Sequence, residues 1–343
     1  MKSFQVRTIE NATTVTRASR AEPSPDGAML AVYRGQSYSP TREYPPDAVQ
    51  IIEASSGEVL VGYEATSRHS ISLREVRVGW SPDGRYFAAI ESIHSHLRDE
   101  ELLVVFDTQR RTVNARELPA TNDGAPILPR RWTDSADAFY ALASSEIASA
   151  DNPLGQRERS WFRLDRATLR ASSLVGYQSR MYAGSLISPD ARYIALSTEW
   201  GSGDGGPVAV IRVSDGDWVY PEDEDYVLSG EYHRWTEGMS TDWLSFGCWG
   251  HEPGVLYAWR TEGRAEWDGT IWRLDVTTEE STQLADLDRW RKGDQGLYAH
   301  LHMRPGHDEI VLRLENIDWG GRESRVVLMD TDTGEMRYLG EDY

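Results

Sequence analysis

The sequence predicts an all-β chain, a six-bladed β-propeller of four-stranded antiparallel blades whose ring is closed by the N-terminal strand. Three observations carry this expectation. A short apolar strand, a Pro/Asp/Gly-type turn and a second apolar strand recur six times. The clearest copies are PSPDGAMLAVY (Pro23 to Tyr33), WSPDGRYFAAI (Trp80 to Ile90) and ISPDARYIALS (Ile187 to Ser197), and the degenerate ones are WTDSADAFYAL (Trp132 to Leu142), WGHEPGVLYAW (Trp249 to Trp259) and MRPGHDEIVLR (Met303 to Arg313). The residues that open these turns, Ser24, Ser81, Thr133, Ser188, Gly250 and Arg304, stand 57, 52, 55, 62 and 54 residues apart. The 39 residues after Arg304 and the 24 up to Ser24 together make 63, one further repeat. A unit of this length holds four short strands and their turns, which is a propeller blade. Finally, no segment sustains a helical period.

In chain order, residues 3–20 are expected to supply strand material that closes the ring against the last blade. The blades follow at about 21–63, 75–119, 127–178, 181–225, 240–287 and 297–343, in a single domain spanning 1–343. The second copy shows the order within a blade. Glu75 to Trp80 is the inner strand, Ser81 to Gly84 the turn, Tyr86 to Glu91 the second strand, Leu102 to Asp107 the third and Thr112 to Leu118 the fourth. In the turn, Pro presets φ, Asp bonds its own backbone and Gly supplies a positive φ. The third-strand pattern returns as VQIIEASSGEV, WFRLDRATL, VAVIRVSDGDW, TIWRLDVTTEE and RVVLMDTDTGEM, each ending in a hairpin turn.

These turns and hairpins resemble the TolB-like, WD-related propeller repeats over nearly the whole chain, from about Glu22 to Tyr343. The resemblance implies the fold and leaves activity open, because such propellers host binders and enzymes alike.

Composition narrows the function classes. A net charge of −19 argues against nucleic acid or an anionic membrane as partner. The one cysteine, Cys248, excludes a disulfide framework and reads as a buried, inert thiol. The start lacks an apolar stretch and no apolar run approaches membrane length, so the expected location is cytoplasmic.

Long links lie between second and third strands, such as SSEIASADNPLGQRERS and TEWGSGDGG, and between blades, such as EDYVLSGEYHRWTEGMSTDW. In a propeller these emerge on one face, and the tight SPDG turns on the other. Function is expected on the long-loop face. Three of its links carry Trp200, Trp267 and Trp319 beside an acid and a glycine; they form either an aromatic rim for a ligand or repeated structural turns. His300 and His302 share one side of the innermost strand of the last blade by the two-residue strand period. Lining up the inner strands, Arg20, Arg77, Pro129, Gly184 and Phe246 match His300, and Glu22, Gly79, Arg131, Leu186 and Cys248 match His302. The alignment predicts a polar channel, in which the two imidazoles either hold a divalent metal (Mn, Ca, Fe or Zn) or form a hydrogen-bonded pair.

The His-x-His segment, followed by a degenerate SPDG turn, resembles that of oligogalacturonate lyase-like propellers, as does EPGVLYAWRTEG in the blade before it. The resemblance implies that His300 and His302 are manganese ligands. The family's third metal histidine would fall near Ser245 or Phe246, and neither is histidine.

For proton transfer the candidates on the long-loop face are Glu91, Glu199, Glu262, Glu315, Tyr182 and Tyr298, with Glu199 and Glu315 at matching places in their blades. Arg20, Arg77 and Arg131, with the three tryptophans, are the candidate substrate contacts. His251 and His307 fall in SPDG-type turns and read as structural. Two functions are compatible with this constellation. One is a small-molecule enzyme of lyase or isomerase type acting on an anionic substrate, with metal on the histidines. The other is a non-catalytic scaffold that binds a protein partner through the same face.

Overall fold

The computed structural model describes residues 4–7, 12–15, 20–34, 48–65, 78–94, 99–146, 156–180, 184–197, 208–220, 243–261, 269–278, 280–290, 296–303, 307–318 and 321–342. The fold is all-β: six antiparallel sheets of four strands, a six-bladed β-propeller. A short N-terminal hairpin pairs β1 (Phe4–Arg7) with β2 (Ala12–Val15). Blade one is β3 (Arg20–Pro23), β4 (Met29–Arg34), β5 (Ala48–Glu53) and β6 (Val59–Glu64). Blade two is β7 (Gly79–Trp80), β8 (Tyr86–His94), β9 (Asp99–Asp107) and β10 (Thr112–Glu117). Blade three is β11 (Leu128–Trp132), β12 (Ala138–Glu146), β13 (Gln156–Asp165) and β14 (Ala171–Arg180). Blade four is β15 (Gly184–Ile187), β16 (Tyr193–Ser197), β17 (Val208–Arg212) and β18 (Trp218–Tyr220). Blade five is β19 (Trp243–Trp249), β20 (Val255–Thr261), β21 (Gly269–Asp275) and β22 (Glu280–Asp286). Blade six is β23 (Gly296–Met303), β24 (Glu309–Asp318), β25 (Gly321–Asp330) and β26 (Met336–Asp342). A single 3-10 turn (Asp288–Trp290) is the helix among the described residues.

β1 takes its register partner from β2, and all four strands of blade six come from its own residues. The chain resolves into two compact units, Met1–Ser144 with Ser160–Ser173, and Ser145–Arg159 with Leu174–Tyr343.

The turn chemistry explains why the repeat folds as it does. In blade two the Ser81 hydroxyl donates to Asp83 at 2.6 Å and accepts from the Tyr86 N–H at 2.9 Å, while the Arg85 N–H donates to Asp83 at 3.1 Å. Ser24 with Asp26, and Ser188 with Asp190, repeat this at 2.6 and 2.7 Å. Gly27 and Gly84 supply the positive φ; where alanine stands instead of glycine, Ala136 and Ala191 adopt it at 55° and 56°. The outer hairpins use another acid: Asp165, Asp275 and Asp330 each accept a Thr hydroxyl and a backbone N–H. These bonds satisfy turn N–H groups that would otherwise face desolvation unpaired.

The blades pack face to face through the alternate apolar residues of their strands. In the first unit Tyr33, Ile51, Phe87 and Phe106 form the core between blades one and two, and Tyr86, Leu103, Trp132 and Phe139 that between blades two and three. In the second unit Trp249, Leu256 and Val210 join blades four and five, and Ile271, Leu301, Leu312 and Met329 join blades five and six. Beside these cores runs a polar clasp. The indole N–H of Trp80 donates to the Glu22 carbonyl at 3.0 Å, Trp132 to Gly79 at 2.9 Å, and Trp249 to Leu186 at 2.8 Å. Each strand-ending tryptophan thus bonds the inner strand of the preceding blade, at the position that the repeat alignment matches to His302.

Candidate functional site

The inner pair of blade six has an unbroken register from Gly296↔Ile317 to Met303↔Ile310. On one face, Ala299 and Leu301 of β23 and Leu312 and Leu314 of β24 are buried in the core shared with blade five. Alternation assigns the other face to Tyr298, His300 and His302. Opposite them, in register, stand Glu315, Arg313 and Val311. Directly opposed residues on one face have Cβ atoms about 4.5–5.5 Å apart. The register thus sets positions 298, 300 and 302 on one side of the strand pair, opposite 315, 313 and 311. The side chains of His302 and Arg313 are exposed.

The strand approaches blade five closely because of a glycine. A Cβ on Gly247 would lie 2.5 Å from the Leu301 side chain, so only glycine lets Leu301 seat there. Gly247 is also the extra residue of a bulge in β19, where the register steps from Phe246↔Ala258 to Cys248↔Tyr257. Ala258 belongs to the core with blade four and Tyr257 to the core with blade six. Positions 246 and 248 thus take opposite faces, and Phe246 is no counterpart of His300. The step between Pro129 and Arg131 does the same in blade three: Pro129 opposes Ala141, which packs on blade two, while Arg131 opposes Tyr140 on the reverse face. The simple two-residue alignment of inner strands holds in blade six and fails in blades three and five.

The acid Glu91 is not at a channel mouth. It is completely buried and accepts a 2.5 Å hydrogen bond from the Tyr63 hydroxyl. It shares strand parity with Phe87 and Ala89, which pack on blade one, and that parity draws it inward. Burial first, then the bond to the Glu91 carboxylate, raises the Tyr63 phenol above its usual range. Cys248 is buried as expected, and burial pushes its thiol up to about 12 despite a bond from the Met303 N–H. His251 Nε2 meets the His307 carbonyl at 3.0 Å, tying the short turns of blades five and six together.

Arg20, on β3, and Arg131, on β11, lie on inner strands of the first unit, whereas His300 and His302 lie on β23 of the second. Arg77, Tyr182, Glu199, Trp200, Glu262, Trp267 and Trp319 lie outside the described residues. Sequence reasoning missed Arg313. Its signal was available, two residues before Glu315 on the same strand face.

Among the described residues no three His, Cys, Asp or Glu side chains come together to hold an ion, and a protein site for a divalent transition metal takes at least three. Blade five carries Ser245 and Phe246, on β19, where the resemblance would put a third histidine. Arg313, in register with His300, adds a positive charge beside the same spot.

No family model matches the chain, and no curated protein does. Solved structures do. An oligogalacturonate lyase in complex with manganese is 13% identical, covering 99% of this chain and 84% of its own, with a TM-score of 0.59. The β-propeller domain of the trilobed protease from Pyrococcus furiosus is 11% identical over 95% of this chain and 85% of its own, with a TM-score of 0.54. A prolyl endopeptidase is 14% identical over 95% of this chain, with a TM-score of 0.55, but this chain spans only 43% of it. At such identities the likeness is one of fold.

Proposed function

We propose that the chain is a small-molecule enzyme of lyase or isomerase type, and that its site is the face of blade six bearing Tyr298, His300, His302, Arg313 and Glu315. The observation that supports this reading is the unbroken β23–β24 register, which pairs positions 298 and 300 with 315 and 313 while Leu301 and Leu312 belong to the apolar core. Arg313 would hold an anionic group of the substrate, and its charge would favour proton loss from the adjacent carbon. Glu315 would take that proton, and Tyr298 or a histidine would protonate the leaving oxygen in a lyase or return the proton to a neighbouring carbon in an isomerase. The arrangement suits an anionic sugar or hydroxy acid, in keeping with the substrate that the similar lyase is named for. No step here passes through a metal.

A second reading rests on the length of the peptidase. It has more than twice the residues this chain spans, so a propeller of this kind also serves as a part of larger proteins, and this one would then bind a protein partner.

The test is to incubate untagged protein with a panel of uronates, oligogalacturonate and hydroxy acids, following new carbon–carbon double bonds by absorbance and isomers by NMR. Turnover that falls at least about a hundredfold in Glu315→Gln and in the His300→Ala/His302→Ala double variant supports the enzyme. Turnover unaffected by either change, or none on any substrate together with a stoichiometric protein partner, overturns it. Metal analysis of the same preparation reads the histidine pair independently. A divalent ion lost in the double variant would show that donors beyond the described residues complete a metal site.

A further inference from the structure

We propose a second site, on the short-turn side between blades two and three, that binds a small organic anion: a carboxylate or phosphate carried on an apolar body. A cavity of about 280 Å³ opens there, between the outer strands of blade two and the Asp165–Thr168 turn of blade three. This is just under the range of about 300–1,000 Å³ typical of small-ligand sites, which suits a metabolite rather than a larger molecule.

The charges in its wall do not balance. Arg110, Arg116 and Arg166 line it against one carboxylate, Asp107. That carboxylate is already committed to a fourth arginine, Arg85, at 3.0 Å, and stands only 3.9 Å from Arg110. Arg116 spends its two terminal nitrogens on the carbonyls of Arg166 and Ala167, at 2.6 and 2.8 Å, and no carboxylate. Arg166 donates from Nε to the Ala136 carbonyl at 3.1 Å, and its terminal nitrogens take no hydrogen bond among the described residues. Its guanidinium lies 3.9 Å from the centre of the Tyr86 ring, with the Arg85 guanidinium 4.8 Å from that same ring. Two cations against one ring repel each other, and Asp107 answers only one of them. In a chain of net charge −19, a local excess of positive charge selects anions from solution.

The remaining wall sets the shape of the ligand. Leu103 and Val105 of β9 supply an apolar floor, Tyr86 a ring face, and Asn114 an amide able to donate or accept. The guanidinium edge of Arg166 matches a carboxylate or phosphate in bidentate geometry, and the floor would receive the carbon skeleton. The site is separate from the blade-six face, so its test does not depend on the proposed activity.

Calorimetric titration of the full chain with benzoate, phenyl phosphate and the neutral benzamide tests the proposal. One saturable site for benzoate identifies a carboxylate ligand, one for phenyl phosphate a phosphate ligand, and benzamide should give none. Arg166→Gln should weaken the anion at least about tenfold. Because Arg166 also supports the Ala136 turn, Arg110→Gln provides a second variant, on a side chain 76% exposed, and should weaken binding about threefold or more. No saturable heat with either anion, benzamide binding as tightly as benzoate, or affinities unchanged in both variants would overturn the proposal.

Discussion

Replacing Trp132 by phenylalanine isolates the clasp between blades. Trp132 is 2% exposed, its ring centre is 4.2 Å from that of Phe139, and its N–H reaches the Gly79 carbonyl at 2.9 Å. Phenylalanine keeps an aromatic ring but removes the donor and leaves a buried carbonyl short of a partner, at about 1–3 kcal/mol. It also removes roughly two methylene equivalents of buried area, about 0.8 kcal/mol each. Trp161 supplies the control. It is 0% exposed, and its indole N–H finds no hydrogen-bond partner among the described residues. Trp161→Phe gives up the same ring atoms, breaks no hydrogen bond and removes an unsatisfied donor. Trp132→Phe should therefore destabilise more than Trp161→Phe, by about 2 kcal/mol or more. With a urea m-value of about 2–3 kcal/mol/M, that separates the two midpoints by roughly 0.7–1 M. Urea unfolding followed by circular dichroism, which is indifferent to the loss of an indole fluorophore, reads the difference. Equal midpoints would refute the idea that this hydrogen bond holds the blades.

The same contacts yield further expectations. Tyr63→Phe removes a donor to the fully buried Glu91 carboxylate and should cost about 1.5–3 kcal/mol in the same urea assay; a loss under about 0.5 kcal/mol would count against it. Side-chain bonds from Ser24, Ser135 and Thr168 hold the carboxyls of Asp26, Asp137 and Asp165 below the ordinary value of 3.8, and backbone N–H bonding at Thr333 does the same for Asp330. A carboxyl lowered on folding stabilises the native state above its unfolded value, and that contribution disappears as pH falls through the folded one. Thermal stability should thus be level from neutrality to about pH 4 and drop below it, and Asp137→Asn should blunt the drop. The Cys248 thiol, buried and pushed up to about 12, should resist a thiol-specific disulfide reagent in native protein and react at once in urea; rapid native labelling would contradict that burial.

Much of the architecture was legible because the repeat writes its turns in residues with local jobs. Ser81, Asp83 and Gly84 form their turn with neighbours no more than five positions away, so their pattern survives in the sequence. The strands of blade two run from Gly79 to Glu117 and those of blade six from Gly296 to Asp342, each around a turn of the repeat. The tryptophans were readable as strand ends but not as clasps, since their acceptors lie 53 to 63 residues away. The bulges at Arg130 and Gly247 were hidden for a different reason. One inserted residue leaves the apolar pattern almost intact while reversing every side chain beyond it. At the candidate site, the strand holding His300 and His302 was legible from its place before a repeat turn. The pairing with Arg313 and Glu315 depends on hairpin register, which the degenerate turn at 304–308 does not specify. Glu91 was misread because its acidity outweighed the parity it shares with Phe87 and Ala89.

The tryptophan clasps all point backwards along the chain. In each, the acceptor carbonyl has left the ribosome before its indole partner is made, so blades two, three and five each find a docking point already waiting. Assembly in the direction of synthesis thus proceeds by capture onto existing structure, and a truncated product ending within blade two would leave the Gly79 carbonyl without its indole and a flat aromatic surface exposed. That asymmetry predicts that fragments cut from the C-terminal end will be stickier than those cut from the N-terminal end.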